Sequence, residues 1–212
     1  MNFGEMKAEV YRRLRDPSTS TIFWTDADVA AALNDGYQEI SDATEWYETY
    51  SIINLLSNQT YYDLRYVLSD TILAPKVAYN NTTSRWLDPC NIRDLDHSYR
   101  QWETVTSEPE RMFLRGLWWL GFWPKAADDD ILGSIKFHFS ALPPALDDDT
   151  DEPEIPEEFQ IALIEYALFD LLAQDRETNE ALRHWSLYIG LEERFRRYVG
   201  GRLETDRVHG YR

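Results

Sequence analysis

The stretch from Ala141 to Gln174, ALPPALDDDTDEPEIPEEFQIALIEYALFDLLAQ, constrains the fold more than any other part of the chain. Pro143 and Pro144 exclude both helix interior and central strand, so the segment before them must end there. Asp147 to Glu152 is too charged to bury and reads as a solvated crossing. Pro156 suits a first helical turn, where its missing N–H is no loss, and Glu157 and Glu158 place negative charge at that helix's positive end. From Phe159, apolar residues at Ile161, Ile164, Leu168, Leu171 and Leu172 form a helical stripe, with Glu165 and Asp170 off it. The chain thus returns from a β excursion into a core helix.

The same periodicities organise the rest. Residues 3–14 predict a short helix, with Met6, Val10 and Leu14 on one face. Thr25 to Asp28 reads as a capping-box variant opening a second helix that runs to about Trp46. The period then changes to two. Strands are expected over Ser51–Leu56, from Tyr61 to Tyr66, and over Thr71–Tyr79, where Pro75 marks an edge or a break. Helical spacing resumes at 91–103. Strands follow at Arg111–Leu114, Leu117–Phe122 and Ser134–Ala141, the last with Ile135, Phe137, Phe139 and Ala141 facing inward. A final helix is expected from Glu177 to Val199, buried through Leu182, Trp185, Ile189 and Phe195 and stopped by Gly200-Gly201. The expected class is α+β: a helical bundle from 1–49, 91–107 and 153–199 carries a discontinuous antiparallel β-sandwich or sheet from 50–90 and 108–146. Residues 200–212 are left as an extended arm.

Charge and aromatic content narrow the function. The formal charge of −17 argues against a nucleic-acid reader, which needs Lys and Arg to neutralise phosphates. Eleven acids lie in residues 128–158, whereas residues 194–212 hold six Arg against Glu204 and Asp206. A basic end on an acidic chain reads as a partner-binding arm. Eight Trp, 13 Tyr and 9 Phe favour a large protein–protein contact. The single Cys90 excludes an internal disulfide and fits a reducing compartment. The charged N-terminus has no signal-peptide pattern, and Phe113 to Trp123 is too short to span a bilayer, so a soluble intracellular product without membrane contact is expected.

Motifs for catalysis are missing. The chain has no G-x-S-x-G elbow, phosphate-binding loop or G-x-G-x-x-G. His97, His138, His184 and His209 share no metal-like spacing with one another or with Cys90. Asp147 to Glu152 lacks the alternating acids and turn glycine of a calcium loop. No metal and no cofactor are expected. Trp118, Trp119, Phe122 and Trp123 read as sheet core plus an inter-subunit contact. A glycan-binding module built on the Trp118–Trp123 platform is the alternative, and a carboxylate-pair glycosidase is a third reading.

Three features in order carry a family resemblance. They are Trp24-Thr-Asp-Ala-Asp-Val-Ala-Ala-Ala-Leu-Asn-Asp-Gly36, the strand closing in a proline pair before an acidic crossing, and the helix IPEEF…AL…YAL…LL from Ile155 to Leu172. Together they resemble the head-to-tail adaptor (connector) proteins of tailed bacteriophages, of the podophage type, over nearly the whole chain. The resemblance implies a non-enzymatic virion protein at the head–tail interface, assembled in the host cytoplasm. It implies a homo-oligomer, a dodecameric ring under the portal protein, which prolongs the DNA channel and offers a platform to tail, nozzle or stopper proteins. By position, Arg202, Arg207, His209, Tyr211 and Arg212 would form the portal-docking arm. Asp128, Asp129 and Asp130 with Asp147, Asp148 and Asp149 are candidates for an acidic channel lining. Twelve copies at −17 each carry about −204, but charges farther apart than roughly 8 Å are largely screened at physiological salt. An acidic bore would let double-stranded DNA pass without adhering.

Overall fold

In the computed structural model, the structure describes residues 1–14, 23–68, 71–127 and 134–210, with residues 202–210 described as backbone only. The fold is α+β. The chain divides into two compact units: Met1–Trp46 with the chain from Pro143 onward, and Tyr47–Leu142.

The helical unit contains α1 (Phe3–Leu14), α2 (Asp26–Thr44), α5 (Glu157–Gln174) and α6 (Thr178–Gly210). Helix α2 starts where the sequence places its cap: Thr25 N–H donates to Asp28 Oδ2 (2.9 Å) and Asp28 N–H to Thr25 Oγ1 (3.2 Å). It ends at Glu45, in the left-handed region at φ 49°. Helix α5 is buried beyond one stripe, because α1, α2 and α6 all pack on it. Ala162, Leu163, Ile164, Ala167, Leu168 and Leu171 are all buried. Gly36 of α2 allows the closest approach: a Cβ there would stand 3.0 Å from Tyr166 Cβ of α5.

Helix α6 departs from the sequence reading twice. Among the described residues its buried apolar positions are Ala181, Tyr188 and Phe195, while Leu182, expected inside, is 56% exposed. It also runs through Gly200-Gly201 to Gly210, so the backbone of 200–210 is helical and not an extended arm. A C-terminal glycine ends a helix only by taking positive φ, and neither of these glycines does so. Phe159 at the start of α5 meets Phe195 (centroids 4.9 Å) and Tyr198 (5.3 Å), so α6 continues beyond its partner helix.

The second unit is a seven-stranded sheet in the order β1-β7-β3-β4-β5-β6-β2. Its strands are β1 (Glu48–Asn54), β2 (Tyr61–Asp63), β3 (Ile72–Asn80), β4 (Arg85–Pro89), β5 (Arg111–Arg115), β6 (Trp119–Trp123) and β7 (Ser134–Ala141). Ile135, Phe137, Phe139 and Ala141 face inward from β7, all fully buried, as their alternation requires. Pro75 lies in β3 where only β7 is paired, beside a register shift, because β4 joins β3 from Ala78 onward. The proline thus occupies a local edge.

Three expectations fail here. The strand from Tyr61 to Tyr66 stops at Asp63, whose carboxylate accepts the Arg65 N–H (3.1 Å) and caps the helical turn α3 (Leu64–Val67). The sheet is mixed, since β4 and β5 are parallel. Parallel neighbours need a crossover, and residues 91–107 supply it through α4 (Ile92–Ser98) and a 3₁₀ turn at Trp102–Thr104. That middle segment therefore belongs with the strands and not with the helical bundle: Leu95 and Trp102 are buried with Phe113 and Trp123. A larger cluster on Ile53, Leu120, Phe122, Phe137 and Phe139 fills the rest of the unit.

The β unit starts and finishes side by side. Ala141 N–H donates to Tyr47 C=O (3.0 Å), extending the β1–β7 ladder to the points where the chain arrives and leaves.

Candidate functional site

Strands β5 and β6 form a hairpin whose tip, Gly116 to Trp118, projects apolar side chains into solvent. Gly116 has φ +64°, which glycine adopts without strain. Leu117 is 81% exposed, and Trp118 and Trp119 are each more than 40% exposed. The tip is fixed by backbone bonding: Leu64 N–H donates to Trp118 C=O (2.8 Å), and Asp63 pairs with Trp119 across β2 and β6. Tyr66, on α3, is 84% exposed. A groove of about 520 Å³ runs between β1 and β2, with Ile52, Leu56, Tyr66 and Trp119 on its walls.

This divides the aromatic cluster of the sequence. Phe122 is fully buried, and Trp123 is 7% exposed with its indole N–H donating to Trp102 C=O (3.1 Å). Both belong to the interior of the unit, because the far end of β6 is covered on one face by the Phe137 cluster and on the other by α4. A four-residue glycan platform is therefore absent, and Trp118 and Trp119 are the surface members.

The acidic crossing is not a bare linker. Phe3 N–H donates to Asp151 C=O (2.8 Å) and Gly4 N–H to Asp149 C=O (3.0 Å), so the first turn of α1 is capped by this loop. The Asp147 and Asp148 amides both donate to Asp151 Oδ2 (2.9 Å each), which holds that carboxyl below the usual carboxylate range. Lys7 Nζ reaches Asp149 (2.6 Å) and Asp26 (2.9 Å). Asp147, Asp148 and Asp149 are exposed at the surface of the helical unit. Asn34 pins the crossing to α2: its Nδ2 donates to Leu146 C=O (3.0 Å) and its Oδ1 accepts the Leu146 N–H (2.8 Å). Asn34→Ala is expected to lower the stability of this unit by about 2 kcal/mol, since both Leu146 groups lose partners; chemical denaturation checks it.

Other candidates lie outside the described residues: Asp128, Asp129 and Asp130, Tyr211 and Arg212, and the side chains of Arg202, Arg207 and His209. Among the described residues, no group of three or more His, Cys, Asp or Glu is arranged to hold a metal, and no helix is long and apolar enough to cross a membrane. Burial raises the Cys90 thiol and lowers His138, with Lys136 adding to the latter shift.

One ionic cluster has no counterpart in the sequence reading. Glu165 of α5, 5% exposed, accepts from Arg13 Nη1 of α1 (2.5 Å) and bonds His184 Nδ1 of α6 (2.7 Å). Arg13 and His184 also line a cavity of about 240 Å³ with Arg183 and Glu180. The cluster fastens three helices to one carboxylate. Nearby, Glu9 accepts from Arg12 (2.6 and 2.7 Å) and Arg13 (2.7 Å), which hold its carboxyl at about 2, against an ordinary 4.5. A carboxyl lowered on folding contributes stability that is complete above about 4.5 and lost as pH falls toward about 2. Glu9→Gln is expected to flatten the fall in melting temperature across that acid range.

A comparison with curated proteins found no match. A comparison with family models matched residues 1–210 to the SU10 adaptor protein family. That span takes in both units, including the capped α2, the crossing and the core helix. The chain belongs to the SU10 adaptor protein family, and is a bacteriophage head-to-tail adaptor with a structural role in the virion.

Proposed function

We propose that this protein forms a ring beneath the portal, extends the DNA channel, and presents an attachment surface to tail or nozzle proteins, without catalysing a reaction. The observation that carries the reading is the family correspondence over residues 1–210, spanning both units and α6. Two structural facts support it. The hairpin tip with Leu117, Trp118 and Trp119 offers an exposed apolar contact for a neighbouring copy or a tail protein. The continuation of α6 past α5 gives the Arg-rich end of the chain a helical base from which to reach a portal.

The formal charge of −17 suits passage of duplex DNA without sequence-specific binding. Within this reading the ring is dodecameric, Arg202, Arg207, His209, Tyr211 and Arg212 meet the portal, and Asp128–Asp130 with Asp147–Asp149 contribute to an acidic bore. Electron microscopy of the protein mixed with its portal is the test. Rings of twelve copies on the portal, lost when residues 200–212 are deleted, are the expected result. A mixture in which the full-length and truncated chains both stay unattached overturns the proposal.

A further inference from the structure

We propose that the surface of the helical unit around Tyr166 is a binding site for a guanidinium group, the arginine side chain of a partner protein. Tyr166 of α5 lies against Gly36 of α2, where a Cβ would stand 3.0 Å from its Cβ and Cδ1. Asp35 and Glu39 share that face of α2, about one turn apart, and Asp170 lies one turn beyond Tyr166 on α5. Three carboxylates from two helices thus surround one half-buried ring. Their charges act on it. Burial first, then Glu39, Asp170 and Asp35, raise the Tyr166 phenol. Burial and Asp35 likewise raise Asp170, against the opposing bond from Gln174 Nε2 (2.8 Å).

Among the described residues, no Lys, Arg or His lies within ion-pair distance of Asp35, Glu39 or Asp170. Arg196, which approaches from α6, is held by Glu192 (2.6 Å) and the Ala43 carbonyl (3.2 Å). Both helices also carry these acids in their C-terminal halves, and neither has a basic residue in its last turn. The helix dipoles therefore add to the repulsion. An independent observation points to the same place. Tyr188 of α6 is fully buried with its ring 5.2 Å from that of Tyr166, and its hydroxyl has no hydrogen-bond partner. A stranded hydroxyl costs stability until a donor or acceptor reaches it. Besides burial, the charges that raise this phenol come from Glu192, Glu39 and Tyr166. Glu192 already holds Arg196, so the carboxylate left open on that side is Glu39.

The chemistry selects the ligand. These acids are not arranged to close on one metal ion, and a metal makes no use of an aromatic floor. A guanidinium uses both features: its five donors fork toward separate carboxylates, and its plane stacks on rings. Tyr166, Phe169 and Trp185, all half-buried, supply the floor, with centroids 6.0 Å apart for the first pair and 4.7 Å for the second. A lysine ammonium is a compact, strongly hydrated point charge and meets fewer of these groups at once. The site lies wholly within the helical unit and requires neither the ring nor the portal proposed above, so either proposal can fail alone.

NMR titration of the whole chain with N-acetyl-argininamide tests the site. Saturable shifts are expected at Gly36, Tyr166 and the Trp185 indole. Binding should be about tenfold weaker for N-acetyl-lysinamide, and for the arginine compound with Glu39→Gln. Asp148→Asn, on the acidic crossing, should leave binding unchanged, which separates a built site from diffuse attraction to a chain of charge −17. Glu39→Gln should also raise the melting temperature of the free chain, because it relieves repulsion while removing a ligand contact. Glu39 is exposed, so this variant should fold, and Asp35→Asn is a second variant with the same expected outcomes. Tyr188→Phe, which deletes the stranded hydroxyl, should weaken binding too. No saturable shift at these residues, an equal response to the lysine compound, or an equal loss with Asp148→Asn would each overturn the proposal. So would a lower melting temperature with Glu39→Gln, binding untouched by both Glu39→Gln and Tyr188→Phe, or magnesium ion binding more tightly at the same residues.

Discussion

Glu165→Ala is expected to lower the stability of the helical unit by about 3–4 kcal/mol, because removing one partner of a buried ion pair leaves the others uncompensated. The carboxylate is shared: Arg13 reaches it from α1 and His184 from α6 (2.5 and 2.7 Å). Arg13 keeps Glu9, which moderates the loss. Glu165→Gln retains one acceptor and should cost less. Leucine at the same position should fall between, filling the space but leaving Arg13 with Glu9 alone. Hydrogen exchange resolved by residue is the suitable measurement, since a protein with two compact units need not unfold in one step. Loss of protection in α1, α5 and α6, with the strands unaffected, is the expected pattern. Unchanged protection would mean that the three helices hold together without this carboxylate.

The second large effect is expected at Gly121 of β6. A Cβ there would stand 2.3 Å from Cζ and 2.4 Å from Cε2 of Phe113, which lies directly opposite on β5. The ring cannot withdraw easily. It is 2% exposed and wedged edge-on between Trp102 (centroids 5.3 Å) and Tyr61 (5.9 Å). Gly121→Val should therefore lower the stability of the β unit by about 3 kcal/mol through overpacking. Near-ultraviolet circular dichroism should report the displaced aromatic packing. Combining it with Phe113→Leu, which removes the obstructing ring, should cost less than the two changes separately. Strict additivity would show that the glycine serves some purpose other than seating Phe113.

How far the sequence reveals this molecule depends on whether a local rule decides each feature. Helices α1, α2 and α5 are legible because their apolar spacing and the Thr25–Asp28 cap require no distant partner. Strand β7 is legible because apolar and polar residues alternate strictly along it in the sequence, although Ser140 is buried with its apolar neighbours. Glu165 is not, because an acid off a helical stripe ordinarily faces water; the one hint was that α5 is apolar almost all round, the mark of a helix covered on several sides. Strand β4 is not legible, because Leu87 alone of its five residues is buried, leaving no alternation to detect.

Trp123 illustrates the same limit from the other side. Its burial depends on α4 crossing over β6, a tertiary event that no spacing announces. The glycine pair at 200–201 reads as a stop signal, yet stopping requires a conformation that the sequence only permits.

The meeting of Tyr47 and Ala141 has a mechanical consequence. Both covalent connections of the β unit leave from the same end of one antiparallel ladder. A pull that draws those connections apart loads the ladder at Tyr47–Ala141 first and then at each pair behind it, so its bonds, each worth about 1 kcal/mol net, yield in succession and never share the strain. Under tension the unit would open like a zipper from its attachment point, at far lower force than the same bonds would resist in shear.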